Sequence, residues 1–159
     1  LALLPLTLLL CGLLQGCGYS LRGSDVITAT YPSLYLEYQQ PNSEFSRLMS
    51  RSLAVANVDL ATSPGTAPTL ILGPEVRANR PVSINPRARA AQYEVRLSVT
   101  MALTQDGNVL IAPQTLVVER NYFEDIENLA GNREEVEIIL DEMRRDLVNR
   151  VMRRLAAGQ

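Results

Sequence analysis

"AQYEVRLSVTMAL", residues 91–103, decides how this chain folds. Tyr93, Val95, Leu97, Val99, Met101 and Leu103 alternate with Gln92, Glu94, Arg96, Ser98, Thr100 and Ala102. A two-residue period puts every apolar side chain on one face, so this is a half-buried strand with one wet side. Asp106-Gly107 follows, a dipeptide that accepts positive φ and closes tight hairpins. A second long strand is predicted from Val109 to about Phe123. It carries Leu116, Val118, Arg120 and Tyr122 on one face and Thr115, Val117, Glu119 and Asn121 on the other. Pro113 calls for an edge position or a bulge early in that strand.

Helical periods flank this hairpin. After it, Val136, Leu140, Met143, Leu147, Val151 and Leu155 form one apolar stripe. Asn132 is the expected cap of that helix, with Glu135 completing a near capping box. Acids at its start (Glu134, Glu135, Glu137) and arginines at its end (Arg150, Arg153, Arg154) match the helix dipole. Earlier in the chain, 33–38 reads as a short strand. A helix runs from a cap at Asn42 to about Val55, with Phe45, Leu48, Met49, Leu53 and Ala56 on one stripe. Residues 61–68 are a loop by composition, and Thr69–Leu72 resumes as a strand that Gly73-Pro74 bends or bulges, with Glu75-Val76-Arg77 as its expected continuation. The order is β-α-β-β-β-α. A helix between the first two strands implies a right-handed parallel crossover, and hairpins join the rest. The expected fold is a two-layer α/β domain, a four-stranded, mostly antiparallel mixed sheet with two helices on one face.

The chain has 159 residues, enough for one domain of ordinary size. Its net charge of −2 gives no global attraction to nucleic acid. All 15 basic residues are arginine, and there is no His and no Trp. Without His, without a thiol in the body of the chain, and without a phosphate-binding Gly loop, a nucleophile elbow or metal-ligand spacing, catalysis has no visible machinery. An enzyme is not expected, nor a metal or cofactor.

Residues 1–16 are nearly all apolar, shorter than the roughly 20 needed to span a bilayer, and end in small residues. They read as the apolar core of a secretory signal. No Met or charged segment precedes them, so either the start was placed too late or the chain begins as a fragment. Leu14-Gln15-Gly16-Cys17 has the form of a lipobox and resembles the processing site of bacterial lipoproteins. In those proteins the thiolate of the cysteine takes a diacylglycerol and the new N-terminus is acylated. Several acyl chains make such an anchor essentially permanent. Cys17 is therefore the expected lipidation site, and Cys11 only an apolar residue of the removed signal. By resemblance to enterobacterial sorting patterns, Gly18 after the cysteine favours the outer membrane. The expected organisation is 1–16 signal, 17–32 lipidated tether and 33–159 a single domain.

One stretch stands apart. "RANRPVSINPRAR", residues 77–89, has four arginines, Arg77, Arg80, Arg87 and Arg89, and no acid. It joins two strands, which makes it a hairpin tip, stiffened by Pro81 and Pro86. Two readings fit: a solvated loop, or a binding tip for a ligand both anionic and greasy, since arginine grips phosphate bidentately and Val82 and Ile84 sit among the charges.

Taken together, "CGYSLRG" (17–23), "PNSEFSRLMSRSL" (41–53), "AAQYEVRLSV" (90–99), "ERNYF" (119–123) and "NLAGNREEVEIILDEM" (128–143) resemble, in order, the LptE family of lipopolysaccharide-assembly lipoproteins. The resemblance spans the mature chain, and the order of the pieces is more specific than any one of them. It implies a partner rather than a reaction: a plug inside the LptD β-barrel of the outer membrane, facing the periplasm, that helps the barrel assemble, binds lipopolysaccharide and assists its insertion into the outer leaflet. It implies a basic lipopolysaccharide contact just before the Ala-x-Tyr strand, matched here by Arg87 with Arg89 beside it. A second basic contact falls in the family at the segment "LAGN". This chain has Gly131 there, and Arg133 is the nearest substitute. The alternatives are an accessory subunit of a lipid-trafficking or cell-wall synthase complex, a soluble lipid carrier, or an enzyme of the envelope.

Overall fold

The computed structural model describes residues 24–84, 90–125 and 128–158. In chain order the elements are α1 (Ser24–Thr30), β1 (Ser33–Tyr38), α2 (Glu44–Val55), β2 (Asp59–Ala61), β3 (Thr69–Leu72), β4 (Val76–Ile84), β5 (Ala90–Gln105), β6 (Asn108–Asp125) and α3 (Leu129–Ala156). The strands form one mixed sheet of six. It is larger than the expected four because the short β2 is a strand, and because the continuation expected at 75–77 is a separate strand, β4, that runs on through Pro81 to Ile84. β1 runs parallel to both β2 and β3, and the expected crossover through α2 is present. All pairings of β5 are antiparallel.

β5 is the spine. Its 16 residues pair with β6 along one side and with β3 and then β4 along the other. Val95, Leu97, Val99, Met101 and Leu103 are all buried against the helices, as their alternation requires. Asp106 (φ 49°) and Gly107 (φ 79°) both take positive φ, the backbone of a tight hairpin turn. Between Met101 and Leu103 the ladder with β6 slips opposite Pro113, which cannot donate a hydrogen bond to it. β3 and β4 are one line of chain broken by a bulge. From the Leu72–Met101 pair to the Val76–Ser98 pair, this line takes four steps against three on β5. Gly73 permits the close approach there: its N–H donates to the Thr100 carbonyl at 2.9 Å.

The helices cover one face of the sheet. Phe45, Met49 and Leu53 of α2, and Val136, Leu140, Met143, Leu147, Val151 and Leu155 of α3, join the β5 face in one core. Ser43, not Asn42, caps α2: its Oγ accepts from the Ser46 N–H at 3.1 Å. Asn57, at φ 57°, ends that helix in the left-handed region. α3 starts one turn earlier than expected, capped by Asn128 rather than Asn132, so no acid lies in its first turn. The arginines of its last turn, Arg153 and Arg154, do meet the negative end of the dipole. Residues 24–32, expected as part of the tether, hold α1, and Ile27 and Tyr31 enter the core.

Candidate functional site

Of the residues singled out by sequence, Cys17, Arg87 and Arg89 lie outside the described residues. Arg77, Arg80 and Arg133 do not. Arg77 and Arg80 belong to β4, not to a loop: the hairpin's stem is strand as far as the Ile84–Ala91 pair. The β5 ladder draws these residues into a strand despite Pro81, which sits where the register shifts between Pro81 and Ser83.

Register then separates the two arginines. Directly opposed residues on neighbouring strands share a face. Arg77 pairs with the buried Leu97, so it belongs to the helix side of the sheet; Arg80 pairs with Glu94, on the solvent side. There Arg80 makes a two-pronged contact with Glu94, at 2.7 and 3.1 Å. That hydrogen bond, with the attraction of the guanidinium, holds the Glu94 carboxyl below its usual range. Arg96 faces Glu119 at 3.7 Å on the same surface. The solvent side of the sheet is thus a lattice of opposed charges, and Arg80 is committed to it.

The helix side is different. Near the β4–β5 hairpin the sheet extends past the helical core, leaving a cleft of about 570 Å³. Arg77 lines it from β4, Tyr122 and Glu124 from β6, and Asn132, Arg133, Val136 and Glu137 from the early turns of α3. Arg77 and Arg133, far apart in sequence, therefore converge on one space. Neither is in an ion pair among the described residues. Arg77 is steadied by its own strand, Nε lying 3.4 Å from the Asn79 Oδ1.

Tyr122 forms part of the cleft wall. Its ring stacks on Tyr93 with centroids 5.7 Å apart and planes 21° off parallel. Burial, and then the nearby Glu124 carboxylate, raise its phenol above the ordinary value, so it stays neutral and can serve as a hydrogen-bonding group. The cap of α3 sets the position of Arg133. Asn128 folds over the helix end and its Oδ1 accepts from the Gly131 N–H at 3.1 Å. A Cβ on Gly131 would lie 2.5 Å from the Asn128 Nδ2, so the cap uses the space a larger residue would need. Gly131 is a capping position here, and the cation stands two residues further on.

The cleft offers two guanidinium groups, two carboxylates, a neutral phenol and an apolar wall at Val136. Guanidinium forks suit phosphate, and carboxylates suit the hydroxyls of a sugar. Sequence reading missed Tyr122, Glu124 and Glu137 as lining residues. Tyr122 carried a signal, since it is in phase with the buried Val118 on the helix side of β6.

The family model described as "LptE: Lipopolysaccharide-assembly" matches residues 31–155. The LPS-assembly lipoprotein LptE of Photorhabdus laumondii is 32% identical over 143 residues, covering 88% of this chain and 77% of that protein. Its namesake from Yersinia enterocolitica is 26% identical, covering 88% of this chain and 68% of that protein. Among solved structures, rare lipoprotein B from Shewanella oneidensis superposes with a TM-score of 0.72 at 24% identity, over 79% of this chain and 94% of that one. Lipoprotein B from Nitrosomonas europaea gives 0.69 at 19% identity, over 88% and 91%. The structural likenesses establish the fold, the mixed α/β architecture expected from the strand and helix periods. With the sheet, the crossover and the final helix all inside the matched span, the chain belongs to the LptE family of lipopolysaccharide-assembly lipoproteins.

Proposed function

We propose that this protein is an outer-membrane lipoprotein, anchored through Cys17, that plugs the LptD β-barrel from the periplasmic side and assists both barrel assembly and the insertion of lipopolysaccharide into the outer leaflet. It works by binding, not by turnover. The observation that carries the reading is the meeting of Arg77 and Arg133 in one cleft at the hairpin end of the sheet. Arg87 and Arg89 follow in sequence the strand that carries Arg77.

Lipopolysaccharide presents phosphates, sugar hydroxyls and acyl chains together. In the proposed complex the two guanidinium groups take a phosphate in forked contacts. Glu124 and Glu137 accept from sugar hydroxyls and repel a phosphate placed deeper, which orients the ligand. The Tyr122 ring and Val136 meet its apolar parts. The solvent side of the sheet supports the plug. The lumen of a barrel is polar, and the Arg80–Glu94 and Arg96–Glu119 pairs offer it hydrogen bonds and balanced charge rather than a greasy patch.

Capture of the tagged protein from outer membranes in mild detergent tests the partner. A heat-modifiable β-barrel should come with it at equal stoichiometry. Recovery alone, or with a soluble enzyme, overturns the plug reading.

A further inference from the structure

A second depression lies at the other end of α3. There α1, the end of α2 and the last turns of α3 surround an open groove of about 410 Å³. Ile27, Val55, Ala56, Met152 and Ala156 give it apolar walls. Among the described residues its charged lining residues are Arg51 and Arg153, and neither is in an ion pair there. Val55 is 76% exposed and Val26, on α1, 48%. In a chain of net charge −2, an apolar groove whose described charged residues are both cations is a local departure that asks for an amphiphile with an anionic head.

We propose that this groove docks on the bilayer surface and takes the headgroup phosphate and upper acyl chain of an anionic phospholipid. Arg51 and Arg153 hold the phosphate, and Val55, Met152 and Ala156 meet the chain at the headgroup boundary. Chain direction adds an independent argument. Ile27 lines the groove from α1, and Cys17 is seven residues before the start of that helix at Ser24. Seven residues reach at most about 24 Å, so a bilayer that holds an anchor at Cys17 stays within that distance of the helix that carries Ile27 into the groove. That second argument rests on the lipidation reading; the first does not. Contact would be peripheral, since no helix among the described residues is long and apolar enough to cross a membrane.

The test needs no anchor, no barrel and no lipopolysaccharide, so its failure and that of the plug reading are distinct. The chain from Gly18 onward, which contains every core residue, is floated with phosphatidylcholine vesicles and with vesicles that also contain phosphatidylglycerol. Flotation is expected with the anionic vesicles only. Arg153→Glu should weaken it about tenfold, and Arg51→Glu similarly, as each reverses a charge facing the lipid. Val55→Ser should weaken it without changing any charge. Arg145→Glu, an equal charge change on an exposed part of α3 outside the groove, should weaken it far less. No flotation, equal flotation with neutral vesicles, or equal losses from Arg145→Glu and Arg153→Glu overturns the proposal. Variants that melt with the parent keep the comparison valid. In the membrane-bound complex, Val55→Cys should be shielded from aqueous maleimide and become reactive in detergent. Shielding that persists in detergent means a protein covers the groove, and also overturns it.

Discussion

Arg144 on α3 meets Glu75 in the β3–β4 bulge, Nε to Oε2 at 3.1 Å, with both side chains about 15% exposed. The bulge turns Glu75 toward the helical layer, while the Glu75 N–H donates to the Gln40 Oε1 at 3.2 Å. Asp141 supplies a second carboxylate to the same guanidinium at 2.7 Å. Burial, the largest single influence, would lower the pKa of Arg144, but its hydrogen bonds to Glu75 and Asp141 and the attraction of both carboxylates together outweigh it, and the net shift is upward. This joint fixes the middle of α3 against the kinked strand line, and so fixes where the cleft opens. Glu75→Gln should cost about 1–2 kcal/mol in urea unfolding, because it leaves a mostly covered cation one partner short. Glu75→Leu with Arg144→Met should recover most of that loss, since it removes both polar groups together. If the double variant falls by the sum of the two singles, the pair is not coupled.

Gly73 and Thr100 form a second joint. A Cβ on Gly73 would lie 2.0 Å from the Thr100 Oγ1 and 3.3 Å from its Cβ. Gly73→Ala should destabilise by about 1–2 kcal/mol, since the hydroxyl must turn away and the backbone must give slightly. Adding Thr100→Ala removes the worst contact and should restore part of the loss. Thermal melts of the two singles and the double read this coupling directly.

How far the sequence could be read follows from which interactions are local. The alternation from Tyr93 to Leu103, the turn at Asp106-Gly107 and the stripe from Val136 to Leu155 are local patterns, and all appear as expected. α1 was hidden because "SDVITAT" is rich in β-branched residues with little helical preference; packing of Ile27 and Tyr31 into the core accompanies it. Most of β4 was hidden because it falls in the stretch 77–89, whose two prolines and four arginines read as a tip. Its strand form comes from the length of β5, which supplies the ladder. The cleft was hidden most deeply. Nothing near Arg77 or Arg133 says that they meet. That depends on the register that sets Arg77 beside Leu97, and on the Asn128 cap that starts α3 a turn early.

Acid should be the pH limit of this fold. The chain has no His, so no group with an ordinary pKa between about 5 and 8 titrates in its body. The Glu94 carboxyl is lowered by its hydrogen bond from Arg80, and that of Glu44 by its hydrogen bond from Arg47, from a starting value of 4.5. A lowered folded-state pKa contributes stability that is present above the unfolded value and is lost as pH falls through the folded one. Melting temperature should therefore stay level from neutral pH to about 5 and decline below about 4.5. In a Glu94→Gln, Glu44→Gln variant the decline should be shallower. The Arg47–Glu44 pair is solvent-exposed and Arg80 reaches Glu94 from the solvent, so high salt should flatten the parent's profile as well.

The two faces of β4 give the sharpest test of the binding reading. Arg77 and Arg80 are three residues apart on one strand, carry the same charge and are both exposed. Composition treats them alike, and the register opposes them. If phosphate is held in the cleft, Arg77→Glu and Arg133→Glu should each weaken lipopolysaccharide capture by about tenfold, the loss of one charge-assisted contact. Their melting temperatures should move little, because exposed side chains contribute little to stability. Arg80→Glu should leave capture within about twofold. It should instead disturb the solvent side of the sheet, where it faces Glu94 with like charge. Arg87→Glu with Arg89→Glu should resemble the cleft variants if the hairpin and cleft share one ligand. Capture of labelled lipopolysaccharide on immobilised protein, read beside melts of each variant, separates these outcomes. Equal losses at Arg77 and Arg80 would mean that diffuse positive charge, not the cleft, attracts the ligand.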